Sequence, residues 1–180
     1  MNPSISAASL SNVVRLHAVA PPSRVLCVGR EPVVLAHGFA AWGADVHPES
    51  GAPGSAHSTA GGGPFEVIVA VTGKDPIRLG TLLSRAAPGA LLLLGVTGRR
   101  ARPAEAACRE AGVDVLLRYR VSPSLDRPLY VVPDRAGALA SYLDVRSPVG
   151  PLRAGLRRLT LALGWRPLDH PDVLLVARAP

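Results

Sequence analysis

The sequence predicts an α/β fold: a doubly wound, mostly parallel sheet with helices on both faces and a late antiparallel strand. Three observations predict it. Apolar runs of strand length alternate with helix-length stretches along residues 24–121. Some of these runs, Ala90-Leu91-Leu92-Leu93-Leu94-Gly95-Val96 above all, carry no polar side chain, as befits a strand covered on both faces. Turn residues (Gly29, Gly43, Pro88-Gly89) punctuate the runs.

The elements follow in order. Residues 5–19, with Ile5, Leu10, Val13, Val14 and Leu16, predict a leading helix that Pro21-Pro22 ends. Arg24-Val25-Leu26-Cys27-Val28-Gly29 is a buried strand closed by glycine. Residues 32–42 form a short apolar helix, with Pro32 tolerated in its first turn. Ala44-Asp45-Val46-His47 reads as a second short strand. The stretch Pro48 to Pro64 is rich in Gly, Ser, Pro and His and reads as a flexible loop. Phe65 to Val71 is a β-branched strand, 76–87 a helix, Pro88-Gly89 a turn and 90–96 a central strand. A helix at 103–111, strands at 114–121 and 129–132, and a helix at 135–143 come next. In 151–163, Leu152, Leu156, Leu159 and Leu163 form one stripe, expected to face the core, with Arg153, Arg157 and Arg158 opposite. Asp172 to Arg178 is the last strand. The chain reads as one domain, with 1–22 a helical extension and 122–171 an insertion before the last strand.

Composition excludes several classes. With 48% hydrophobic residues the chain is too apolar for disorder. No apolar run approaches the roughly 18–20 residues of a membrane span, and the first residues lack the basic flank of a secretory signal, so a cytoplasmic protein with no membrane partner is expected. Two cysteines make no disulfide framework. The net charge of +7 invites a nucleic-acid reading, but the cations are nearly all Arg, spread along the chain, as GC-rich coding produces. Clustered cations interleaved with aromatics are missing, so no nucleic-acid partner is expected. The spacing of His37, His47 and His57 suits no metal, and none is expected; no phosphate-binding loop, full dinucleotide motif or nucleophile elbow occurs.

The pattern resembles the class I S-adenosylmethionine-dependent methyltransferase family. The residues that carry the resemblance are Val25 to Gly29, Gly43-Ala44-Asp45-Val46, Pro64 to Ala70, Pro88 to Leu94, Glu110 to Val115 and Val173 to Arg178. They are similar to the family's first, second, fourth, fifth, sixth and seventh strands. The cofactor loop departs from the family's Gly-x-Gly-x-Gly: Cys27-Val28-Gly29-Arg30-Glu31-Pro32 holds one glycine and two charged residues. The family's third strand is replaced by the loop from Pro48.

The resemblance implies cofactor contacts at Gly29, Glu49, Val71 and Thr72. Gly29 would let the cofactor approach the backbone, or merely turn the chain. Glu49 would accept from the ribose hydroxyls, or stand solvated. Thr72, Lys74 and Asp75 follow the strand where the family places catalytic or substrate groups, although Asp75-Pro76 also suits a helix cap. Tyr119, Arg120, Tyr130 and Tyr142, in or next to the insertion, would suit an anionic or aromatic substrate, or equally cover a partner protein. The cofactor is S-adenosylmethionine, or none if the altered loop is crowded. Two functions follow: a methyltransferase acting on a small molecule or peptide in bacterial natural-product biosynthesis, or a non-catalytic methyltransferase-like subunit that binds or stabilises a partner enzyme. A third reading is a cofactor-free enzyme that reuses the crevice.

Overall fold

The computed structural model describes residues 4–18, 20–29, 31–50, 64–73, 77–123, 125, 128–146, 150–162 and 172–180. The helices are α1 (Ser4–His17), α2 (Pro32–Ala40), α3 (Leu79–Leu83), α4 (Gly98–Glu110), α5 (Ala136–Arg146) and α6 (Pro151–Ala162). The strands are β1 (Arg24–Gly29), β2 (Asp45–Ser50), β3 (Phe65–Gly73), β4 (Ala86–Thr97), β5 (Asp114–Pro123), β6 (Pro128–Pro133) and β7 (Asp172–Arg178). They form one sheet in the order β2-β1-β3-β4-β7-β5-β6. β1 pairs parallel with β2 and β3, and β3 parallel with β4. β7 enters antiparallel between β4 and β5, and β6 closes the far edge antiparallel to β5. The doubly wound α/β sheet and its late antiparallel strand are as the sequence predicts.

Strand alternation builds two cores. Val25 and Cys27, Val67 and Val69, Leu91 and Leu93, and Leu174 and Val176 face α1 and α2, where Leu10, Val13, Val14 and Phe39 meet them. Leu26 and Val28, Ile68 and Ala70, Leu92 and Leu94, and Val173 and Leu175 face α3 and α4, against Leu79, Leu82, Ala101 and Cys108. The middles of the central strands, such as residues 25–28, 67–71, 90–96 and 173–177, are therefore apolar on both faces because both are covered.

Several details differ from the sequence reading, among them the helix expected at 103–111, which runs Gly98–Glu110 with Pro103 inside it. The helix expected over 76–87 is only Leu79–Leu83, because β4 starts at Ala86, where it pairs with Phe65. Gly89, at φ +71°, kinks β4 and shifts its register rather than preceding it as a turn. The second strand extends through Ser50, so Pro48 and Glu49 lie within it; an edge strand tolerates the proline. The leucine stripe of α6 is not core: Leu152, Leu156 and Leu159 are exposed, and Leu161 is the leucine that packs, against Leu139 and Ala140 of α5. The remainder of the expected loop, 51–63, and Leu163 lie outside the described residues.

Candidate functional site at the carboxyl edge of the sheet

In a doubly wound sheet, ligands bind beyond the carboxyl ends of the parallel strands. Gly29 of β1, Ser50 of β2 and Val71 of β3 share one register level at that edge, with Gly95 of β4 beside Val71. Three of the four expected cofactor positions, Gly29, Val71 and Thr72, thus come together.

Their neighbours explain much of their chemistry. Gly29 has φ +156°, and a Cβ built on it would stand 2.7 Å from the Val71 carbonyl oxygen. The glycine is required by the close approach of β3 itself. Val71 is buried in the α1–α2 core, and Thr72 is 8% exposed. The Thr72 hydroxyl donates a long, 3.5 Å bond to the Gly95 carbonyl.

Glu49, on β2 opposite Val28, lies one step below Ser50. Arg85, in the turn between α3 and β4, donates from both terminal guanidinium nitrogens to its two carboxylate oxygens at 2.7 Å. Each side chain of this fork is 18% exposed. The Arg85 guanidinium also lies 5.2 Å from the Phe65 ring, which Arg24 and His47 flank as well. His47 and Arg24 both pair with Asp45, whose carboxyl is held below its ordinary value chiefly by the His47 hydrogen bond.

A third group closes over β4. Leu125 is 2% exposed, and its methyl carbons would stand 3.0 and 3.1 Å from a Cβ on Gly95. Its backbone N–H donates to the Asp172 carboxylate at 2.9 Å, which fixes the chain after β5 to the start of β7. Glu31 is exposed at the start of α2 and makes no capping bond there. Arg30, Lys74 and Asp75 lie outside the described residues.

Two of the expected substrate residues, Tyr119 and Arg120, do not converge. Tyr119 and Arg120 are neighbours on β5 and so face opposite sides of the sheet. Tyr119 is 4% exposed in the α1 core, its hydroxyl 2.9 Å from His17 Nε2, and burial raises its pKa. Arg120 Nε lies 3.2 Å from Asp134 Oδ2, which Arg118 Nε approaches to 2.8 Å; Arg118 also reaches Glu105 at 3.2 Å. Tyr130 stands on β6 opposite Ser122. Among the described residues, no group of three His, Cys, Asp or Glu side chains suits a metal ion.

Sequence reasoning missed Arg85, Leu125 and Asp172. Leu125 alone carried a signal, as the one large apolar residue in Ser122-Pro123-Ser124-Leu125-Asp126-Arg127-Pro128. A cleft of about 410 Å³ opens at the opposite, amino-terminal edge, where Arg15 lies 4.4 Å over the Trp42 ring and Pro21 and Pro22 form a wall.

Solved structures place this architecture. A protein from Bacillus halodurans assigned as a methyltransferase superposes with a TM-score of 0.52 at 12% identity, over 95% of this chain and 98% of the other. An S-adenosylmethionine-dependent methyltransferase from Geobacter sulfurreducens, solved with S-adenosylhomocysteine, gives 0.45 at 16% identity, covering 99% and 92%. A plantazolicin methyltransferase, also solved with S-adenosylhomocysteine, gives 0.42 at 11% identity, covering 99% and 84%. No protein-family model and no curated protein sequence matches the chain. The chain has a methyltransferase-like Rossmann fold.

Proposed function

We propose that this methyltransferase-like protein works as a non-catalytic subunit that binds or stabilises a partner enzyme. The observation that carries the reading is the fork between Arg85 and Glu49. A ribose diol needs a carboxylate turned toward the cofactor, and both Glu49 oxygens are instead turned onto the guanidinium of Arg85 in charge-assisted bonds, within a pair that is itself mostly buried. The space left by the missing Gly29 side chain is taken by the Val71 carbonyl, and Leu125 fills the space over Gly95. These residues do not fit S-adenosylmethionine bound in the family's manner.

Thermal unfolding with and without about 1 mM S-adenosylhomocysteine tests the reading. A ligand present at about 100 times its Kd stabilises by about 2.7 kcal/mol, which raises the Tm of a chain this size by roughly 5–10 °C. The expected shift is none, and a rise of that size overturns the reading. One observation favours the other reading, methyl transfer to a small molecule or peptide of natural-product biosynthesis. Gly29, Val71 and Thr72 stand together at the carboxyl edge, where ligands of doubly wound sheets bind.

A further inference from the structure

The exposed face of α6 is the feature the crevice leaves unused. Leu152, Leu156 and Leu159 are 89%, 62% and 56% exposed. Their spacing of four and three residues sets them along one side of the helix. Leu161, 1% exposed, lies roughly 180° away at about 100° per residue, and it anchors α6 on Leu139 and Ala140 of α5. The helix is therefore fixed to the protein by one apolar side and presents a second to solvent. That second side points away from α5, and the leucines stand along it as an exposed crest.

The charged residues of α6 itself are all of one sign. Pro151 to Ala162 contains Arg153, Arg157 and Arg158 and no acidic residue. Arg153 is exposed and lies roughly 90° from the crest. From there a guanidinium reaches the plane of a surface touching the leucines while its stem lies along the apolar side. A second copy of this chain would set arginine against arginine in a protein of net charge +7.

We propose that α6 is an interfacial helix that docks the protein on an anionic lipid surface, its leucine crest at the acyl boundary and its arginines among the headgroup phosphates. An exposed leucine crest on a helix with arginines and no acidic residue, in a chain of net charge +7, favours an anionic lipid surface. At twelve residues the helix lies in the interface and does not span it; no helix among the described residues is long and apolar enough to cross a membrane. The inference departs from the expectation of no membrane partner, which rested on the absence of a spanning run. It is independent of what the crevice binds.

Vesicle flotation with the full chain tests it, comparing phosphatidylcholine vesicles with vesicles containing about one third phosphatidylglycerol. Wild type should float with the anionic vesicles and not with the neutral ones. Leu152→Ser/Leu156→Ser/Leu159→Ser keeps every charge and changes only exposed positions, so its circular dichroism should match wild type while binding falls by about tenfold or more. Arg153→Gln should cost about fivefold, as one cation at an anionic surface does. Because both native cysteines are buried, Leu156→Cys can carry an environment-sensitive dye, whose emission should shift to the blue on anionic vesicles alone. Failure of wild type to float, undiminished binding by the triple variant, an unshifted dye, or a dimer that the triple variant dissolves would each overturn the proposal.

Discussion

Gly29→Ala sets a methyl carbon 2.7 Å from the Val71 carbonyl oxygen, a backbone atom held in the β1–β3 ladder. An unstrained carbon–oxygen contact needs about 3.3 Å or more, so the two strands must separate by several tenths of an ångström. The alanine must also adopt φ +156°, a region that L side chains avoid. Backbone strain of this kind costs about 1–3 kcal/mol, and overpacking at a fixed contact about 1–3 kcal/mol more. The expected loss is thus about 2–6 kcal/mol, or a Tm lowered by roughly 5–20 °C. Gly43→Ala is the control: φ there is +79°, yet no atom lies within 4 Å of the added carbon. It should lose only the conformational part, about 1–2 kcal/mol. Urea unfolding of the three proteins measures the difference. Equal stabilities for Gly29→Ala and Gly43→Ala would refute the close approach of β3 as the reason for the glycine.

Further outcomes follow from the same contacts. Glu49→Gln removes the charge that Arg85 holds in a mostly buried fork, and it should cost about 1–3 kcal/mol by urea unfolding; an unchanged midpoint would show the fork to be a surface pair without weight. Cys27 and Cys108 are 0% and 1% exposed, and burial raises both thiols, Cys27 to about 12. Ellman's reagent at pH 8 should titrate neither in the native protein and both in urea, and a fast native thiol would count against the strand and helix placements. His17 is held below its ordinary pKa by burial first and by Arg178 second. The unfolded chain then binds the proton more readily, so this histidine's contribution is fully present above the ordinary value near 6.5 and is lost as pH falls below it. His17→Gln should flatten that acid limb of the stability curve, and an identical limb would exclude His17 as its source.

Strands are legible in this sequence wherever both of their faces are covered. The runs at 24–29, 65–71, 90–96 and 172–178 stand out because continuous apolar residues of that length bounded by turn residues have few other structures to adopt. α3 is shorter than its pattern suggests because Arg85 and Ala86 carry no local sign that a strand has begun; their pairing partner Phe65 is distant in sequence. Amphipathic spacing in α6 announces an apolar stripe but not whether a neighbour covers it, and here Leu161, outside the stripe, makes the contact. At the carboxyl edge, Gly29 and Glu49 are legible as positions. Their partners are not: the Val71 carbonyl is a backbone atom, and Arg85 lies 36 residues from Glu49. Tyr119 and Arg120 as joint substrate contacts run against the period of two along a strand, which sends adjacent side chains to opposite faces whatever the fold around them.

Calorimetric titration of S-adenosylhomocysteine into the wild-type chain tests most directly whether the protein's own residues occupy the cofactor's place. The fork on Glu49, the Val71 carbonyl at Gly29 and Leu125 over Gly95 predict no binding heat at ligand concentrations up to about 1 mM, that is, an affinity weaker than about −4 kcal/mol. A saturating isotherm with a micromolar Kd, on the order of −8 kcal/mol, would contradict the account.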